Sequence, residues 1–250
     1  MTDNILKAAK LIKEQGNVIA LTGAGVSVES GIPPFRGKGG LWEKFDPMEY
    51  ADIDSFRKNP EKIWDVFLME KKATIDKARP NDAHKGLALL ERIDLLKGII
   101  TSNIDGLHQA AGSINVVEFH GNLATYSCID CHKMFGSSTL KSDTGPPVCE
   151  CGGFLKPNCI FFGEAINPIV LKRAEYMIAN CKVLLIAGSS LVVEPSSSIP
   201  FEAKSNGAKI IEINAEPTEM TSSVTDIFIR AKAGETLNQI IYLINKMIVS

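Results

Sequence analysis

The chain has 250 residues, 45% of them hydrophobic, enough to bury the core of one α/β domain carrying an inserted module. Its formal net charge of −2 and pI near 6.1 argue against a generic nucleic-acid binder, so no direct nucleic-acid partner is expected. The opening MTDNILKAAKLIKEQ lacks signal-peptide features and no apolar run approaches a membrane span, so the expectation is a soluble cytoplasmic protein without a membrane partner. Six cysteines in such a compartment point to metal or packing rather than to disulfides.

In chain order, Ile5, Leu6, Ala8, Ala9 and Ile12 give residues 3–15 a helical stripe that ends at Gly16-Asn17. Val18 to Leu21 reads as a buried strand, broken by Gly23-Ala24-Gly25, a turn type that lets backbone amides approach phosphate. A dehydrogenase fingerprint would bring its third glycine three residues later; here the loop runs on to Gly31 and a stiff Ile32-Pro33-Pro34-Phe35-Arg36. Residues 38–77 contain no strand pattern and read as a helical insertion, its longest helix running from Pro60 to Ala78. Asn81 or Asp82 caps the next helix, and Lys97 to Ser102 is a strand. A short helix near Leu107 precedes a brief strand at Val116, Val117 and Phe119 that delivers His120-Gly121.

From Asn122 to Pro157 the character changes: four cysteines, Gly/Pro-rich turns and no long periodic segment. The alternation resumes with helices at about 168–180 and 195–206, strands at 183–187, 209–213 and 227–229, and a helix at 235–248. Strands alternating with helices predict an α/β fold, a Rossmann-like doubly wound parallel sheet with a smaller inserted helical and zinc-binding domain.

Cys128, Cys131, Cys149 and Cys151 form two knuckles, the spacing of a four-thiolate zinc site. The second knuckle has a one-residue gap. CIDCH at 128–132 also fits a haem-attachment string, a poor reading because haem attachment usually accompanies export and no export signal is expected here. Asn103 and Asp105 leave the carboxyl end of a strand, where open α/β sheets bind ligands, although caps and turns use the same residues. Among the four histidines, His120 stands near a domain junction with a pKa suited to base work; His84 and His108 read as packing or capping groups, and His132 as surface.

GAGVSVESGIPPFRG resembles the GAGxSxxSGIPxFRG signature of the sirtuin family, the NAD-dependent protein deacylases, with Pro34 where Asp or Thr is common. TSNID at 101–105 resembles the family's TQNID, with Ser102 in place of Gln; EFHG, the FFGE ending at Glu164, GSS at 188–190 and NAE at 214–216 follow in family order over residues 5–245. The short second cysteine knuckle departs from the family's paired CxxC. The resemblance implies one structural zinc per chain and NAD as co-substrate. It implies cofactor contacts from Gly23, Ala24, Gly25, Ser27, Ile32, Pro33, Phe35, Arg36, Trp42, Ser102, Asn103, Ile104 and Asp105. Gly188, Ser189, Ser190, Asn214, Ala215, Glu216 and Ala233 complete that set. His120 and Asn103 are the implied catalytic residues. His120, Ile160, Phe161, Phe162 and Gly163 would hold an acetylated-lysine protein substrate, the last four as an extended segment able to pair with a peptide.

The implied large domain takes residues 1–37, 78–121 and 158–250, and the small one 38–77 and 122–157. The implied activity is protein-lysine deacetylation with acetyl transfer to ADP-ribose and release of nicotinamide. Transfer of ADP-ribose to a protein, or a nonenzymatic NAD-sensing module, are the alternatives. Family members that remove succinyl or malonyl groups carry a Tyr and an Arg three residues apart on the helix of the first insertion. Aligning on Ile63-Trp64-Asp65-Val66 puts Phe67 and Glu70 there, so acetyl is expected to be favoured over succinyl. Oligomeric state is not readable from the chain.

Overall fold

The computed structural model describes residues 1–37, 39–137 and 145–249, so the expected domain boundary at Lys38 and the stretch 138–144 of the cysteine insertion lie outside the described residues. The strands, in chain order, are β1 (Val18–Thr22), β2 (Leu96–Thr101), β3 (Val116–Glu118), β4 (Thr125–Cys128), β5 (Met134–Gly136), β6 (Leu155–Pro157), β7 (Val183–Ala187), β8 (Lys209–Asn214) and β9 (Ile227–Arg230). Six of them form a sheet of order β3-β2-β1-β7-β8-β9, and every pairing in it is parallel. The strand order reverses between β1 and β7. In open parallel sheets that reversal opens a crevice at the carboxyl ends, where ligands bind.

Both faces of the sheet are covered, which is why its strands read as continuous apolar runs. On one face Val18, Ala20, Ile99, Leu185 and Ile211 meet the helices Thr2–Gln15, Asp82–Arg92 and Ala233–Val249 through Ile12, Leu87 and Ile240. On the other, Ile19, Leu21, Ile100, Leu184 and Ile186 meet Met177 and Ile178 of helix Pro168–Ala179 and Ala203 of helix Ile199–Ser205. Alternate residues of one strand thus feed two cores.

The two insertions share a third core. Phe45, Phe56, Ile63, Trp64 and Phe67 from the helical insertion pack with Leu123, Tyr126, Leu155 and Phe161 from and beside the cysteine insertion. The helix expected over Pro60–Ala78 runs as Pro60–Ile63, a π-helical turn Trp64–Leu68, and Met69–Lys77. A π-turn holds one residue more than an α-turn, so it shifts the facing of every residue after it. Four elements were not expected from the sequence. Strands β4, β5 and β6 form a small antiparallel sheet of order β5-β4-β6, and Glu219–Ser223 is a short helix capped by Thr218. The helix expected from Pro195 begins at Ile199; before it, Ser196 and Ser198 spend their hydroxyls on the carbonyls of Val193 and Pro195. No helix among the described residues is long and apolar enough to cross a membrane.

Candidate active site

After β1 the chain turns at Gly23 into a 3₁₀ helix, Ala24–Ser30, beside the loop that leaves β2. Ser27 joins the two. Its hydroxyl donates to Asp105 Oδ2 at 2.7 Å and receives Asn103 Nδ2 at 3.2 Å, and it stands 3.4 Å from His84 Nε2. Asn103 Nδ2 also reaches the Gly23 carbonyl at 3.1 Å, while Asp105 Oδ1 takes the amide of Leu107 at 2.9 Å. Asn103 and Ser27 are buried, so their orientation is set by bonds rather than by solvent. Ala24, Ser27, Ile32, Pro33, Phe35, Asn103, Ile104 and Asp105 line a single pocket, together with Lys71 and Ile75. An apolar wall facing an amide and a carboxylate suits a flat ring that bears a carboxamide.

The other expected cofactor residues lie around this pocket in different ways. Trp42 packs at a tilt against Phe35 with ring centroids 5.5 Å apart, and Arg36 is exposed. Ser102 donates its hydroxyl to the Thr22 carbonyl at 3.2 Å. The amides of Gly23 and Gly25 are engaged within the fold. The Gly25 amide donates to the Gly188 carbonyl at 2.7 Å, and that of Gly23 to Ala187 at 3.2 Å. A Cβ on Gly25 would stand 2.7 Å from Gly188 Cα, and Gly188 itself has φ 58°. These glycines let the β1 and β7 turns touch, and their amides are spent on that contact. Any cradle for phosphate must use other donors of the same crevice.

Across the crevice, Asn214 donates to the Ser189 carbonyl at 3.1 Å, tying the ends of β7 and β8. Buried Glu212 fixes Asn214 at 3.0 Å and also accepts from the hydroxyls of Thr218, Thr221 and Thr225 at 2.7–2.8 Å. Ser190, Ala215 and Glu216 are exposed at this rim, Glu216 paired with Arg230, and Ala233 is buried at the start of the last helix.

His120 follows β3 and is half-buried. Burial lowers its pKa, and a contact with the main chain of Ser102 opposes that shift, placing the ring beside the Asn103 loop. Ile160 donates its amide to the His120 carbonyl at 2.9 Å. The extended segment expected to pair with a peptide is already committed: the Phe162 amide bonds the Ala51 carbonyl at 2.8 Å, and the Phe161 amide bonds Glu164 Oε2 at 2.7 Å. No amide from 160 to 162 is left to join an added strand; Gly163 beyond them is exposed.

His84 caps its helix with Asn81, as expected, but also reaches the Ser27 hub. His108 is buried against it, ring centroids 4.9 Å apart, with Nε2 2.9 Å from Thr22 Oγ1 and Nδ1 without a partner among the described residues. Glu70 and Phe67 do not face the pocket. Glu70 is exposed and paired with Lys44 at 2.9 Å, and Phe67 sits among Trp42, Phe45 and Tyr50. The π-turn moves the facing position on by one residue, to Lys71. A hydrophobic pattern assuming 3.6 residues per turn has no means of finding it.

The four cysteines converge. Their Sγ atoms lie within 4.8 Å of one another, with Cys128–Cys151 at 3.5 Å and Cys131–Cys149 at 3.6 Å, and none is in a disulfide. Tetrahedral zinc with bonds of about 2.3 Å needs sulfurs about 3.8 Å apart. Amides of Asp130 and Cys131 point at Cys128 Sγ, the arrangement that favours a thiolate. The one-residue gap at Cys149 and Cys151 therefore does not prevent convergence.

A parallel sheet in the Rossmann order, a mostly apolar pocket with Ser27, Asn103 and Asp105 on its wall, and four converging thiols together define an α/β protein of the dinucleotide-binding type with a cysteine cluster compatible with a metal. The Sir2 family model matches residues 23–195. The chain is 42% identical over 252 residues to an NAD-dependent protein deacylase of Archaeoglobus fulgidus, covering 99% of this chain and 98% of that one. It is 43% identical over 240 residues to an NAD-dependent protein deacetylase of Caldivirga maquilingensis, covering 94% and 91%. A crystal structure of a Sir2 homologue in complex with NAD superposes with a TM-score of 0.87 at 41% identity, over 96% of this chain and 94% of the other. The chain belongs to the Sir2 family.

Proposed function

We propose that this protein is an NAD-dependent protein-lysine deacetylase acting on acetylated-lysine proteins in the cytoplasm. The observation that carries the reading is the pocket in which Ser27 holds Asn103 and Asp105 against an apolar wall, with His120 seated on the adjoining main chain. When bound, NAD supplies a ribose carbon whose bond to nicotinamide can be broken in favour of the acyl oxygen. Asn103 and Asp105 orient the nicotinamide end, and Ile32, Phe35 and Ile104 exclude water from it. The crevice of Gly188, Ser189 and Asn214 takes the phosphates and adenosine ribose. His120, uncharged near neutrality because it is buried, takes a hydroxyl proton on its free ring nitrogen.

The thiol cluster is assigned one structural zinc through Cys128, Cys131, Cys149 and Cys151. Four protein ligands leave no open position for water activation. Free thiols fit a reducing compartment. The proposed large domain is residues 1–37, 78–121 and 158–250, and the small one 38–77 and 122–157, supported by the separate third core. Ile160, Phe161, Phe162 and Gly163 border the substrate cleft, anchored by their bonds to His120, Ala51 and Glu164. The test is nicotinamide release from NAD with and without an acetyl-lysine peptide. Release that depends on the peptide supports the reading; release indifferent to it refutes it.

A further inference from the structure

A carboxylate in the middle of a parallel strand needs a reason, and Glu212 of β8 is fully buried. Side chains alternate along a strand, so Glu212 shares its face of β8 with Ile210 of the second core and with Asn214 at the carboxyl end. Burying a carboxylate is costly unless its oxygens are bonded. Here they are filled. Oε1 accepts from Asn214 Nδ2 at 3.0 Å and from the Thr218 hydroxyl at 2.7 Å, and Oε2 accepts from the hydroxyls of Thr221 and Thr225 at 2.8 Å. Two bonds to each oxygen use the whole acceptor capacity of the group. The threonines hold it from the connection between β8 and β9. Their oxygens also serve the short helix there, Thr218 accepting the Met220 amide and Thr221 the Thr218 amide.

The consequence falls on Asn214. Its Nδ2 donates to two acceptors, Glu212 Oε1 and the Ser189 carbonyl at 3.1 Å. A flipped amide would set its own oxygen against both, so the bonds fix which end of the amide is which, and Oδ1 is the atom left for a ligand. We infer that Glu212 is a positioning residue for the adenosine end of the cofactor: it locks the Asn214 amide so that its oxygen is ready to accept from a ribose hydroxyl, and this rests on the function proposed above. Glu212 acts through Asn214 and not on the ligand itself. An acceptor oriented before binding spares the complex the cost of ordering it. Without Glu212, Nδ2 keeps one partner of two and the amide is no longer held to a single orientation.

The test measures Kd for ADP-ribose by calorimetry, and kcat and KM for NAD and for an acetyl-lysine peptide, with thermal melts to confirm folding. Glu212→Met, which offers no acceptor, should raise the ADP-ribose Kd and the KM for NAD together, by roughly three- to tenfold, the worth of one neutral hydrogen bond. kcat and the peptide KM should stay put. Glu212→Gln, whose amide oxygen can still face Asn214, should restore binding. In an Asn214→Ala background, Glu212→Met should add nothing. A fall in kcat with the KM for NAD unchanged, or an equal loss with and without Asn214, would mean that Glu212 only stabilises the fold, and would overturn the inference. If Glu212→Met does not fold, hydrogen exchange at the Asn214 side-chain amide of the free wild type, its signal assigned by its loss in Asn214→Ala, decides. Slow exchange supports a locked amide, and exchange at the rate of an exposed asparagine overturns it. A wild type that binds neither ADP-ribose nor NAD refutes the proposed function and the inference with it, whereas normal binding indifferent to every change at Glu212 refutes the inference alone.

Discussion

His120 and Ser102 are the residues on which the proposed chemistry is easiest to test. His120 is half-buried with its pKa lowered, so its neutral form survives below the ordinary histidine value of about 6.5. His120→Ala should retain NAD by calorimetry and lose deacetylation by roughly 10²–10⁴-fold, the scale of a positioned acid–base group. The acid limb of wild-type kcat/KM should fall below about pH 6.5. Near-normal turnover in the variant removes His120 from the mechanism, and an acid limb above that value contradicts its state. Ser102 already gives its hydrogen to the Thr22 carbonyl, so it has no donor left for a ribose. Ser102→Gln should therefore tighten NAD by one neutral hydrogen bond, about 0.5–1.5 kcal/mol. Unchanged or weaker binding by titration would show that the serine is enough.

Elements differed in how far the sequence disclosed them. The central strands β1, β2, β7 and β8 have five or six residues each, nearly all buried, so their pattern is plain. β5 and β6 have three residues each, too few for alternation to show, and β4 has four. The turn at Gly23 to Gly25 was legible as a ligand loop, but not that its amides are spent on the β7 turn, because that contact joins residues far apart in sequence. The π-turn at Trp64–Leu68 hid Lys71 in the same way: periodicity fixes which residues share a face only while the period holds. The cysteine knuckles needed spacing alone, and their sulfurs do converge. Since binding energy of a structural metal is folding energy, Cys149→Ser or Cys151→Ser should release zinc and lower the melting temperature. Metal analysis showing well under one zinc per wild-type chain, or both variants retaining it, would disprove the four-ligand assignment.

At the scale of the whole molecule, stability and function meet in the histidine pair beneath the pocket. His108 is buried, and desolvation followed by the neighbouring His84 pulls its pKa down to about 3; His84 is shifted in the same direction, also by burial. The unfolded chain takes up a proton near pH 6.5, while the folded one does not until far lower. The stability owed to His108 is thus complete above pH 6.5 and is lost as pH falls toward 3, by about 1.4 kcal/mol per unit. Denaturant unfolding of the wild type and His108→Gln should show a shallower pH slope in the variant; equal slopes between pH 7 and 5 would rule this out. The order of the family motifs along the chain made the placement of Asn103, Asp105 and His120 legible, whereas the Ser27 hub that binds them became visible only in three dimensions. The most direct measurement of the central claim is mass spectrometry of an acetyl-lysine peptide incubated with the protein and NAD. The account predicts a peptide lighter by one acetyl group, with free nicotinamide and acetyl-ADP-ribose formed in equal amounts. An intact peptide, with either a protein made heavier by ADP-ribose or no consumption of NAD, would contradict it.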